Sequence, residues 1–301
     1  MLFAKNAIGI EIGNDGLKMA VIGGKSIMPR LDAWQSATLP SETVRFSHRE
    51  ANVLNAPVFV GKVRDTYLRL LTGTRRVSVS LPDAIGQVRL LELETRFKSR
   101  DEGADIIRWK LKKSLPFDVN AAHLDYQVLA ETDSGEIAVL VSLIMRQVVN
   151  QYEELLLEAG LEPARIDFTS FNLYRLFSRR LELAESSAVI SLYGGMLSIF
   201  IFHNGVLDFY RVKELSAGKG NAGTLFREIN SSLLVYRDTK SAHTFKEVFC
   251  MASQEEAEQL RQIIAEICDL EPILLDVGQF ITRREGVAFD RHTLHLSLIH
   301  I

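Results

Sequence analysis

Cysteine is nearly missing from this chain: Cys250 and Cys268 are the only two among 301 residues, at a spacing that suits neither a zinc knuckle nor a redox pair. That excludes a disulfide framework and points to a reducing compartment, with both thiols as small core residues. An excess of positive charge is missing as well. The formal net charge of −3 argues against broad nucleic-acid binding, and leaves the basic spots Arg75-Arg76 and Lys110 to Lys113 as local contact points or solvated faces. The first residues, MLFAKNAIG, lack a basic start followed by a long apolar core and a small-residue cleavage site, so no secretory leader is expected and the protein should stay in the cytosol. No uninterrupted apolar run predicts a membrane span. The most hydrophobic stretch, Val189 to Leu207, is broken by Gly194-Gly195 and by His203-Asn204-Gly205, and Asn204-Gly205 between alternating residues reads as a hairpin.

What is present is a globular composition, 47% hydrophobic and 24% charged, with enough chain for one large or two ordinary domains. In IGIEIGNDGLKMAVI, Ile8, Ile10 and Ile12 alternate with Gly9, Glu11 and Gly13, and Leu17, Met19 and Val21 alternate again after Asp15-Gly16. Two strands joined by a turn follow from that period of two. The amides of a turn holding Gly13 and Gly16 suit a phosphate, Lys18 adds charge and Glu11 suits a metal at the strand end; an ordinary hairpin reads equally from the same residues.

Beyond it, three strands to about residue 40 lead to an amphipathic helix over Ala56–Leu71 and a strand over Arg76–Leu81. An α+β unit follows, with strand Gln87–Leu93, helix Asp101–Leu115 and strands His123–Ala130 and Glu136–Met145. Helix Arg146–Ala159, a strand through Arg165–Phe168 and a helix capped by Thr169 or Ser170 complete the first half. The second half restarts the plan with strands Ala188–Leu192, Leu197–Phe202 and Val206–Lys213, helix Thr224–Tyr236, strand Glu247–Met251 and helix Ser253–Ile267. A duplicated plan predicts two lobes with a cleft between them, 1–185 with an insertion at about 83–145, and 186–295. Gly218 to Gly223 fits G-x-G-x-x-G formally, but it follows an antiparallel meander, which favours a loop over a dinucleotide site. The last six residues, LSLIHI (296–301), match the translation of a transposon end used in sequencing libraries, so the natural product is expected to continue and the second lobe to be incomplete.

Two lobes that each open on strand-turn-strand resemble the actin-like ATPase superfamily, a duplicated RNase H-like α/β fold, and within it the PilM family of type IV pilus assembly. The resemblance rests on GIEIGNDGLK (Gly9–Lys18), SLPFD (Ser114–Asp118), LDYQVL (Leu124–Leu129), EAGLEPARIDF (Glu158–Phe168) and REINSSLLVY (Arg227–Tyr236) in that order. It implies an ATP site with magnesium, its phosphates held by Gly13, Asn14, Asp15, Gly16 and Lys18 and by Gly194 and Gly195. Glu11 and Asp167 would be its metal ligands and its only catalytic candidates. Departures from the pattern imply a weak or lost site: Glu11 replaces Asp, Leu192 falls where the second turn carries Asp, and Cys250, Met251, Ala252 and Ser253 replace the adenosine glycines.

The resemblance further implies a cytosolic scaffold that docks the N-terminal cytoplasmic peptide of a PilN-like inner-membrane protein, alongside other pilus platform or motor components, with no nucleic acid. Leu91, Leu93, Pro116, Phe117 and Tyr126 are the expected peptide contacts, and an ordinary core role reads equally from the same apolar residues. A working ATPase or small-molecule kinase and the cytoplasmic domain of a GspL-like secretion protein are the alternatives on the same fold, and an FtsA-like division protein fits less well.

Overall fold

Strand alternation in the sequence becomes two-faced sheets in the structure, a computed structural model that describes residues 6–13, 16–25, 28–215, 222–240 and 242–287. β1 (Ala7–Ile12), β2 (Gly16–Lys25) and β3 (Met28–Thr38) form an antiparallel meander, followed by α1 (Ala56–Arg69) and β4 (Arg76–Leu81). The inserted unit comprises β5 (Gly86–Leu93), α2 (Arg100–Leu111), β6 (Ala122–Glu131) and β7 (Ile137–Met145). α3 (Arg146–Glu158), β8 (Glu162–Phe168) and α4 (Thr169–Leu181) return to the first lobe. The second lobe repeats the meander with β9 (Ser186–Tyr193), β10 (Met196–His203) and β11 (Val206–Glu214), then α5 (Ala222–Thr239), β12 (Glu247–Ala252), α6 (Gln254–Cys268) and β13 (Ile273–Leu274). A last short strand, β14 (Thr282–Arg283), follows.

The two large sheets share one strand order. In the first it runs β14-β3-β2-β1-β4-β8, and in the second β11-β10-β9-β12-β13. Meander strands pair antiparallel, whereas β1–β4, β4–β8, β9–β12 and β12–β13 pair parallel. Ile8, Ile10 and Ile12 point into one core with Phe59 of α1 and Tyr152 and Leu156 of α3, while Ile190, Leu192 and Ile199 point into another with Ile229 of α5 and Leu260 of α6. A third core lies between the sheets around α4, where Leu173 and Phe177 meet Ala20, Phe200 and Phe249. β14 pairs parallel with β3 of the first sheet, so the end of the second lobe is tied into the first. The small sheet, β5-β7-β6, packs one face under α2, with Ile107 and Leu111 against Val139, Val141 and Leu143.

The expected elements are present, with local differences. α2 stops at Leu111 rather than Leu115, because Pro116 disfavours helical backbone at the residue before it and the chain closes instead by Ser114 and Leu115 amides donating to the Leu111 carbonyl. Asn204 and Gly205, with φ of 51° and 73°, make the predicted hairpin between β10 and β11. Among the described residues no helix is long and apolar enough to cross a membrane. Cys250 is buried and Cys268 half-buried, and burial pushes both thiols up to about 11, which suits core residues. Most of the glycine-rich 218–223 segment and all of residues 296–301 lie outside the described residues.

Candidate functional site

The cleft is built where β1 and β9 end side by side. Glu11 stands opposite Lys18 across the first hairpin, with Lys18 Nζ 3.6 Å from Glu11 Oε1. From the other lobe the Tyr193 hydroxyl donates to the same oxygen at 2.6 Å. One carboxylate therefore joins both hairpins. The alternation of β9 explains which residue reaches it: Ile190 and Leu192 turn into the core of the second lobe, so Ser191 and Tyr193 turn to the cleft. Leu192, at the position where the second turn is expected to carry Asp, packs in that core and borders the cleft beside Met251. Its side chain stays among apolar neighbours, and a phenol stands where the cleft meets the first hairpin.

The Gly13 N–H donates to the Gly16 carbonyl at 2.8 Å. Gly16 is required by packing, since a Cβ there would lie 2.6 Å from the Ala37 carbonyl oxygen on β3. Gly194 and Gly195, with φ of 56° and 78°, form a two-residue hairpin in the left-handed region, a tight turn that glycine permits. Asn14 and Asp15 lie outside the described residues.

Asp167 lies two strands from Glu11 on the same sheet, each opposite Ser80 of β4, and its ion-pair partners are arginines. It bonds Arg165 at 2.5 Å and Arg175 at 2.9 Å, and it lines a separate groove of about 320 Å³ beside the inserted unit. The carboxylate that does reach the cleft is Asp83, just after β4. It accepts from the Ser170 N–H at 3.1 Å, from the Ser170 hydroxyl and from the Tyr210 hydroxyl at 2.8 Å. Asp83 therefore caps α4 from outside the helix, whereas Thr169 donates to the Leu81 carbonyl, so neither Thr169 nor Ser170 acts as the predicted cap. Burial raises the Asp83 carboxyl above its usual range although these donors oppose it, and burial next to Asp83 raises the Tyr210 phenol as well.

Two cavities meet in the cleft, and Tyr193 and Leu173 line both. One, of about 400 Å³, holds Glu11, Lys18, Asp83, Ser191, Ser198 and Glu214. The other, of about 350 Å³, is walled by Met251, Ala252, Ser253, Arg261 and Asp276. Ser253 caps α6 by accepting from the Glu256 N–H, and Cys250 points into the core rather than toward a base. Among the described residues no three His, Cys, Asp or Glu side chains cluster as a metal site, Glu11 is held by a lysine and a phenol, and side chains occupy the end of β12.

The peptide residues divide. Leu93 and Tyr126 are buried in the core of the inserted unit, Leu91 and Phe117 pack against that core, and Pro116 is exposed, so the five do not form one groove. Period two explains this: Leu91 and Leu93 share the sheet face that α2 covers. The groove that exists lies on the opposite face, where Val88, Leu140 and Ser142 look across to Asp167, Phe168, Phe171 and Arg175. Its walls include β6 and β8, the terminal strands of their sheets. Tyr126 reaches it from the edge, its hydroxyl donating to the Arg100 carbonyl at 3.0 Å. Asp83, Tyr193 and Tyr210 were missed by sequence reasoning. The alternation of Ile190 and Leu192 was the available signal for Tyr193.

The family model described as "Type IV pilus assembly protein PilM" matches residues 9–214. Curated protein sequences give no match. Among solved structures, the PilM-PilN type IV pilus biogenesis complex aligns with a TM-score of 0.74 and 18% identity, covering 93% of this chain and 91% of that one. A Bacteroides thetaiotaomicron protein with an actin-like ATPase fold aligns at 0.51 and 14% identity, with 93% of each chain covered. The cytoplasmic domain of EpsL, an inner membrane component of the Vibrio cholerae type II secretion system, aligns at 0.50 and 11% identity, with 95% of this chain and 88% of that one covered. The fold is that of actin-like ATPases.

Proposed function

Because the chain belongs to the family of the type IV pilus assembly protein PilM, we propose that it is a cytoplasmic scaffold that holds the N-terminal peptide of a PilN-like inner-membrane partner. Its attachment to the inner face of the membrane would run through that partner and the other platform components. The observation that carries this reading is the groove between the inserted unit and the first lobe. An extended peptide entering it meets two terminal strands able to accept an added strand, apolar contacts at Val88, Leu140 and Phe168, and charges at Asp125, Asp167 and Arg175.

The test is fluorescence anisotropy with a labelled peptide from the N-terminus of such a partner. Micromolar or tighter binding is expected. Ser142→Trp, which fills the groove, should weaken it by about tenfold or more, and Phe117→Asp, beneath α2, should leave it unchanged. The opposite pattern would move the site to the α2 side. A folded protein that binds no such peptide sinks the proposal.

Nucleotide has no part in this reading. A magnesium-bound triphosphate would have to displace Tyr193 and Lys18 from Glu11 and crowd against Met251 and Ala252. Losses on the order of 1–3 kcal/mol for each such conflict put ATP affinity in the millimolar range. Calorimetry should accordingly detect weak or no binding, with phosphate release at background. A dissociation constant below about 10 μM, or release abolished by Glu11→Ala, would show a live site.

A further inference from the structure

The end of α2 takes no part in either the groove or the cleft. Residues 108–117 read RWKLKKSLPF, with four cations and no acid. Arg108 pairs with Asp105 at 2.9 Å and Lys110 donates to the Glu92 carbonyl. Lys112 and Lys113 are exposed and make no ion pair among the described residues. Trp109 is 79% exposed, the one aromatic among the strongly exposed large apolar side chains described. The helical turn continues past Leu111, since the Lys112 N–H still donates to the Arg108 carbonyl at 3.0 Å. Spacing of three and four therefore sets both lysines on the side of Trp109.

Lysines alone would suit any polyanion, but an indole held in water beside them is more selective. In a headgroup layer its ring body leaves water while its N–H stays hydrated, and the lysine stems lie on apolar surface with their ammonium groups at lipid phosphates. The cytoplasmic leaflet supplies the opposite charge. We propose that Trp109, Lys112 and Lys113 form a contact for an anionic membrane surface. The contact lies on the face of the small sheet opposite the docking groove, since Val139, Val141 and Leu143 pack under α2 while Leu140 and Ser142 line the groove. Lipid and partner peptide can then be held together.

The test uses the whole chain, without partner, and mixed phosphatidylglycerol–phosphatidylcholine vesicles against pure phosphatidylcholine. The chain has two tryptophans, so Trp34→Phe leaves Trp109 as the sole indole reporter. Sedimentation with anionic vesicles alone, a blue shift of Trp109 emission and weakening by salt are expected. Lys112→Glu with Lys113→Glu should lower partitioning by about twentyfold or more, each lysine near the surface being worth about fivefold. Trp109→Ala should lower it as well. If Trp34→Phe does not fold, the difference in emission between the natural chain and Trp109→Ala reads the same signal. Equal binding to neutral vesicles, an unshifted indole, or full partitioning of the double variant would overturn the proposal. Competition by duplex DNA with no indole shift would assign a polyanion contact and overturn it too. Peptide docking measured on the same proteins is independent, so failure here leaves the groove reading standing.

Discussion

Asp83→Ala should lower the free energy of unfolding by about 3 kcal/mol, because three donors lose their common acceptor in a place that water reaches poorly. The Ser170 N–H and hydroxyl and the Tyr210 hydroxyl all converge on this carboxyl. Alanine also removes the outside cap of α4. The deficit should depend on pH in a definite sense. With its carboxyl raised by burial, Asp83 holds a proton more readily in the folded chain than in the unfolded one. Its contribution is full below the unfolded value near 3.8 and falls as pH rises toward the raised folded value. Natural chain and variant should therefore differ more at about pH 4.5 than at about pH 8. Urea denaturation at both values measures this, and a midpoint unchanged by the substitution would refute the capping role.

Phe200→Ala should cost more, about 4 kcal/mol. Its ring is buried among Phe171 at 5.2 Å, Tyr210 at 4.9 Å and Tyr174 at 5.6 Å between centroids. Those partners come from α4 and β11, so the cavity left behind would open in the core that joins the two lobes rather than inside one of them. Loss of area, loss of edge-to-face and stacked contacts, and poor collapse of a rigid aromatic cluster act in the same direction. Equilibrium unfolding of the variant is the measurement. A loss under about 1 kcal/mol would show that contacts elsewhere join the lobes. With aromatic packing where a hinge would be needed, wide opening of the cleft would break these contacts, which agrees with a scaffold more than with a nucleotide-driven cycle.

Strands and helices were legible in this sequence because period two and period 3.6 are written in single residues such as Ile8, Ile10 and Ile12. Arg76–Leu81 was located to the residue, its end marked by Pro82. The duplicated plan was legible in the repeat of meander and helix. Site geometry was less so. Asp83 follows a strand as many surface acids do, and only the arrival of α4 and Tyr210 from elsewhere in the chain buries it. Asp167 looked like a ligand beside Phe168, but Arg175, one helical segment later, folds back to hold it. Leu93 and Tyr126 read equally as peptide contacts or as core, and only the packing of α2 decides for the core. In each case a distant element decided what a local pattern could not.

The pairing of β14 with β3 sets an order in time. Thr282 donates through its hydroxyl to the Pro29 carbonyl, 253 positions back, and the Arg284 N–H bonds the Leu31 carbonyl at 2.9 Å. On a ribosome the β3 edge emerges early and waits for about 250 further residues before its neighbour exists. During that interval the amides and carbonyls around Arg30 and Leu31, which β14 later pairs, are a template for another strand, including that of a sister chain. Such distant closure is slow because its loop entropy must be met before any contact rewards it. Production of this protein should consequently tolerate early release poorly: chains stopped before β14 carry an unprotected edge, and aggregation rather than simple loss of activity is their expected fate.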